Sequence, residues 1–369
     1  MKNIHDFNSK KIVGIGESVE YSANIRHAVL SYLKHLILNN NCKVIVFENS
    51  ANTCMIYGLY TQGILPENAI KEISKDMASD YPTTEFLVWL RKHNSGQSEK
   101  VRMFGLGFLS PTSTFDYLLY LQDAGIITNI TLLPEILKNW RKTTKLGEYV
   151  HSNAATIKKY VGETDYNYLK SIVDENDNIF RYNGLYEFET CLDSINKIID
   201  LKRWNMFEKI ISGYLTPDGI LAIVSRSVDL NRKNSTYERH NILPDKKLGY
   251  FISQKYGNRY FCLSIQIGIG TYGYNKKNFV LEYPENHSFE KFCMNSKAEY
   301  IYCKSETLPK TFNKLRLVRR KDKNEPQFVY MDLNKRFDAF IFVRNSAPLQ
   351  AKIYSHDIIK KRKQNIKCV

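Results

Sequence analysis

Lys11-Ile-Val-Gly-Ile-Gly16 and Lys43-Val-Ile-Val-Phe47, with the run Ile25 to Leu38 between them, decide the fold. The two short apolar runs, the first ending in glycine, predict buried strands. Between them apolar residues recur at helical spacing. Strand, helix, strand at this separation is a βαβ unit, and such a unit requires a parallel sheet.

The alternation continues on both sides. Glu67 to Met77 and Thr84 to Lys92 predict helices, Val101 to Gly105 a third strand, and Phe115 to Asp123 a further helix. Residues 130–213 are mostly helical in pattern and polar, and read as an inserted helical lobe. Gly219 to Val224 returns to the sheet. A helix over Lys247 to Tyr256 and a strand over Tyr260 to Ile267 follow. Short strand-like runs recur from Asn278 and end with Ala339 to Val343. The expected fold class is α/β, a central mainly parallel sheet flanked by helices, with an inserted helical lobe. The expected division is 1–129 and 214–350 for the two parts of the α/β core, 130–213 for the lobe and 351–369 for a basic tail. Gly268-Ile-Gly270 lacks the third spaced glycine of a dinucleotide fingerprint and reads as sheet-edge or turn glycine.

Composition bounds the function. The 369 residues suffice for a sizeable core. No apolar run approaches a membrane span, and the first residues do not read as a signal peptide. The seven cysteines are odd in number and form no C-x-x-C, so neither a disulfide framework nor a zinc cluster is expected. Free thiols point to a reducing cytoplasm. No metal and no cofactor are expected. The formal charge is +15, and from Lys310 onward 16 Lys or Arg face 5 Asp or Glu. Arg319-Arg320-Lys321 with Lys323, and Lys360 to Lys363, are clusters of the kind that binds a polyanion such as nucleic acid. Neither sits in a nucleic-acid-binding motif, so a solvated surface is the plainer reading.

In open parallel sheets ligands bind at the carboxyl ends of the strands. Glu17 and Glu20 follow the first strand, Glu48 the second, Gly107 the third, and Arg226 and Asp229 the strand at 219–224. Arg26 opens the first helix. The candidate catalytic residues are therefore Glu17, Glu20 and Glu48. Arg26, Arg226 and Asp229 are the candidate substrate-binding residues.

These residues lie in a series that resembles the erythromycin esterase family. Gly14-Ile-Gly-Glu17-Ser-Val-Glu20 looks like its G-x-G-E-x-x-H signature, and Ile25-Arg26-His27 is similar to its arginine region. Val44-Ile-Val-Phe-Glu48 resembles its second acidic strand end, and Phe86-Leu-Val-Trp-Leu-Arg91-Lys-His-Asn94 its F-L-x-W-L-R-x-x-N helix. Val101 to Gly105, Leu248-Gly249, Tyr256-Gly257-Asn-Arg-Tyr260 and Phe337-Asp338-Ala-Phe-Ile341 extend the series in order along the chain. The resemblance implies ester or lactone hydrolysis with a histidine base. That histidine is here Glu20, and the histidine pair of a later A-H-N-x-H segment falls on Ser225-Arg226-Ser-Val-Asp229. His240, in a polar stretch, does not substitute. Two readings stay open, with a third behind them. One is an enzyme with carboxylate rather than histidine chemistry on an ester- or amide-bearing natural product or peptide. The second is a pseudoenzyme that keeps fold and pocket as a binding protein or scaffold. The third is nucleic-acid binding through the basic C-terminal region.

Overall fold

A computed structural model describes residues 9–76, 80–107, 117–122, 124–126, 144–183, 192–233, 246–274, 277–318 and 327–349. The basic clusters at 319–323 and 360–363, His240 and the tail at 351–369 lie outside the described residues.

The strands are β1 (Ile12–Glu17), β2 (Cys42–Ser50), β3 (Arg102–Gly107), β4 (Ile220–Arg226), β5 (Tyr260–Tyr274), β6 (Lys277–Val280), β7 (Tyr300–Lys304), β8 (Lys314–Arg316), β9 (Phe328–Tyr330) and β10 (Ala339–Ser346). The helices are α1 (Ala23–Asn39), α2 (Ala51–Thr61), α3 (Ala69–Asp76), α4 (Tyr81–Ser95), α5 (Thr144–Ser152), α6 (Ala154–Val161), α7 (Glu163–Asn183), α8 (Leu192–Tyr214), α9 (Ser227–Leu230), α10 (Leu248–Tyr256), α11 (Phe289–Met294) and α12 (Leu333–Arg336). The main sheet runs β3-β2-β4-β1-β5-β10-β7, with β6 on β5, and β8–β9 form a separate ribbon. β1 lies parallel to β4 and β5, β10 is parallel to β5, and β7 is antiparallel to β10. This is the α/β fold with a mainly parallel sheet that the strand–helix alternation predicts. Among the described residues no helix is long and apolar enough to cross a membrane.

The described chain forms two compact units. The first takes residues from 1–46, 80–86 and 215–352, and the second takes those from 47–79 and 87–214. In the first, β1 is buried on both faces: Ile12, Val13 and Ile15 are inaccessible. Continuous apolar runs of this kind mark the inner strands of a parallel sheet. Helix α1 packs on β1, β4, β5 and β10, and its Ile25, Val29, Leu33 and Leu36 are buried.

Gly268 and Gly270 are neither edge nor turn residues, contrary to the sequence expectation. They sit inside β5 where β10 runs close. A Cβ on Gly268 would stand 2.5 Å from the Arg344 carbonyl oxygen, and one on Gly270 would stand 2.3 Å from that of Ser346, at φ +118. Only glycine allows the two backbones this approach.

Helix α2 had no sequence signal. Ala51, Cys54, Met55, Ile56, Tyr57, Leu59 and Tyr60 are all buried, so the helix is apolar all round and shows no amphipathic period. In the same unit Arg91 and Asn94 of α4 serve structure. Arg91 donates to the carbonyls of Tyr60 and Leu65, each at 2.7 Å. Asn94 donates to Thr61 O and Val101 O and accepts from Val101 N at 2.9 Å, tying α2 to the entry of β3. Its side chain is buried, so Asn94→Ala strands three backbone groups. The expected loss is about 2–3 kcal/mol, read as a lower urea midpoint at unchanged slope.

Candidate functional site

In the first unit the carboxyl ends of β1 and β4 meet in register, with Glu17 opposite Arg226 and Gly16 opposite Ser225. Gly16 is required here. A Cβ at this position would lie 2.6 Å from the Ser227 Cα and 2.7 Å from its Oγ. The second glycine of the G-x-G-E run thus lets the start of α9 fold back against β1.

Glu17 closes β1 and accepts from Arg26 Nη2 at 3.3 Å. Arg26 sits in the first turn of α1, which is capped by Ser22: its hydroxyl accepts from Ile25 N at 3.3 Å. A cation at a helix N-terminus opposes the helix dipole, so it needs carboxylate company. Asp80 Oδ2, 3.8 Å from Arg26 Nε, supplies more of it. Asp80 is also the cap of α4, accepting from Thr83 N at 2.7 Å. The sequence Asp80-Tyr-Pro-Thr reads as a helix start. Its pairing with a residue 54 positions earlier leaves no local trace.

The second cluster stands on Arg226. Its Nε donates to Asp229 Oδ2 at 2.6 Å and lies 3.8 Å from Glu20 Oε1. Asp229 is on α9, one turn after Arg226, and its side chain is 5% exposed against 26% for Glu20. Glu20 is thus the more open carboxylate of the cluster. The segment carrying it is pinned at both ends: Ser18 N donates to Ile265 O, Val318 N to Ser18 O, and Gly273 N and Leu349 N to Tyr21 O. Tyr21 has φ +63, a left-handed conformation rare for a bulky residue, and such strain collects at sites held by their surroundings.

Glu48 belongs to the second unit and lies inside β2 rather than after it, because the strand runs on to Ser50. Its Oε1 is 3.2 Å from Arg203 Nη2, and Arg203 Nη1 is 3.6 Å from Asp200 Oδ1. Arg203 and Asp200 lie on α8. Their three-residue spacing reads in sequence as an ordinary helix-surface pair, so nothing there pointed to Glu48.

Of the six sequence-derived candidates, Glu17 with Arg26, and Glu20 with Arg226 and Asp229, form two ion clusters in one unit. Glu48 pairs with Arg203 in the other.

No protein-family model matches the chain, and no curated protein matches it. Three solved structures share its fold. A crystal structure of a Bacillus cereus protein superposes with TM-score 0.69 at 13% identity, covering 94% of this chain and 91% of that one. A succinoglycan biosynthesis protein gives 0.65 at 15% identity, over 94% and 90%. A variant of the erythromycin esterase EreC in its open conformation gives 0.61 at 14% identity, over 93% of each chain. The chain has an erythromycin esterase-like fold.

Proposed function

We propose that the protein is an enzyme of hydrolase or lyase type that acts on an ester- or amide-bearing small molecule or peptide, with glutamate where esterases of this fold use histidine. The observation that carries this reading is the Glu20–Arg226–Asp229 cluster beside Glu17–Arg26 at the carboxyl ends of β1 and β4. Glu20 is the base: it is the most exposed of these carboxylates and is held only at 3.8 Å by Arg226. It takes a proton from water as the water attacks the acyl carbon. Arg226, oriented by Asp229, faces the negative charge that develops on the acyl oxygen. Glu17 holds Arg26 for the substrate. Glu48 is the third glutamate of the proposal.

The test is hydrolysis of p-nitrophenyl acetate by the wild type and by E17Q, E20Q and E48Q. E20Q should slow turnover on the order of 10²-fold or more. Erythromycin is expected to stay unopened, followed by mass spectrometry, because a glutamate replaces the histidine base. Efficient lactone opening would overturn the glutamate assignment.

A second reading, a binding protein without turnover, draws on the arginine contacts made by each of the three glutamates. Ester hydrolysis no faster than the buffer blank in the wild type and in all three variants would favour it.

A further inference from the structure

Ser18 stands between Glu17 and Glu20 in the chain, immediately past the end of β1, and the proposed reaction leaves it unused. Its residue is 3% exposed. Both of its backbone groups are spent, since Ser18 N donates to Ile265 O and Ser18 O accepts from Val318 N. What its hydroxyl does is set by a polar chain below it, in which Ser227, Ser264, Gln266, Glu290 and Arg316 are wholly buried.

The Gln266 carboxamide fits this chain in one orientation. Its oxygen accepts from Ser264 Oγ at 2.6 Å, and its nitrogen donates to Glu290 Oε1 at 2.9 Å, Arg316 O at 3.1 Å and Ser18 Oγ at 3.3 Å. Turned over, the amide would set its oxygen against the Arg316 carbonyl oxygen, an acceptor against an acceptor. Burial pushes the Glu290 carboxyl up to about 7, with Arg316 opposing. The Arg316 carbonyl holds the amide nitrogen in place whether or not Glu290 carries a proton. The direction of every bond in the chain follows. Ser264 has given its proton to Gln266, so across the 2.6 Å contact Ser227 is the donor and Ser264 the acceptor. Ser18 accepts from the amide, so its own proton must be given elsewhere. Among the described residues it has no acceptor within the protein.

A buried donor left unspent is costly, and such a cost is kept where a ligand supplies the acceptor. We propose that Ser18 is a second donor to the acyl oxygen of the substrate, working beside Arg226 from the carboxyl end of the neighbouring strand, and that Gln266 is the positioning residue that leaves its proton free for this. Ser18 is not a nucleophile here, because no base faces it to take that proton. A hydroxyl already oriented and shielded from water needs no reorganisation as charge develops on the acyl oxygen, which is where a donor accelerates most. This assignment rests on the hydrolase reading of the Glu20–Arg226–Asp229 cluster.

The test is Ser18→Ala, measured for kcat and KM on p-nitrophenyl acetate and for its thermal midpoint. The variant should fold as the wild type does, because the amide has two hydrogens and keeps Glu290 Oε1 and Arg316 O for them. The donor matters only once charge has developed, so kcat should fall on the order of 10²-fold while KM stays within about twofold. An S18A protein that turns over as fast as an active wild type overturns the inference alone and leaves the hydrolase reading standing. A loss of kcat that comes with a raised KM and a lowered midpoint would assign Ser18 to packing and overturn its role as a donor. A wild type no faster than the buffer blank sinks the hydrolase reading, and this inference with it.

Discussion

Arg316→Ala is expected to lower the unfolding free energy of the first unit by about 3–5 kcal/mol, the scale for removing one partner from a buried charged network. Arg316 is wholly buried, which is unusual for a guanidinium. It is tolerated because its donors reach Gln327 Oε1 at 2.7 Å, Gly268 O at 3.1 Å and Glu282 O at 2.5 Å, and its plane lies 4.7 Å from the Phe328 ring centroid. The truncation leaves those acceptors without a donor and opens a cavity beneath Phe328. It also removes the cation that favours ionised Glu290, so the destabilisation should grow from pH 5 to pH 8. Chemical denaturation followed by near-ultraviolet circular dichroism at both pH values checks this. A loss below about 1 kcal/mol would mean that the ribbon β8–β9 hangs loosely on the core rather than being anchored by this residue.

Gly16→Ala should cost about 3 kcal/mol or more, at the upper end of overpacking changes. The added Cβ meets Ser227 Cα at 2.6 Å, which is main chain and cannot rotate away. Relief requires β1 and α9 to part, and α9 carries Asp229, whose carboxylate orients Arg226. Stability and ester hydrolysis should therefore fall together. The Ser227→Gly background removes the 2.7 Å contact to Oγ but keeps the contact to Cα, so rescue should be partial. A folded Gly16→Ala protein with an unchanged denaturation midpoint would show that the close approach is not needed.

The two substitutions mark what could be read from the chain and what could not. β1, α1 and β2 were legible because a strand buried on both faces is a continuous apolar run and a half-buried helix has a 3.6-residue period. α2 was not, because a helix buried all round has no period to find. Glu17, Glu20, Arg226 and Asp229 were legible as a group, since each stands at or near the end of a strand and a parallel sheet collects such ends at one edge. Their partners were only partly so. Asp80 reads locally as a helix cap, and Arg203 as one half of an ordinary i, i+3 pair.

By itself, then, the sequence determined the α/β class, the places of β1, α1 and β2 along the chain, and the strand-end positions where charge is placed. Those properties follow from period, composition and chain direction, which are local. Tertiary structure alone decided which arginine meets which carboxylate, why Gly16, Gly268 and Gly270 must lack a side chain, and that Glu290, Gln266 and Arg316 are buried together. These depend on contacts between residues tens to hundreds of positions apart, and the energy of a buried charge is set by such neighbours rather than by its own residue type.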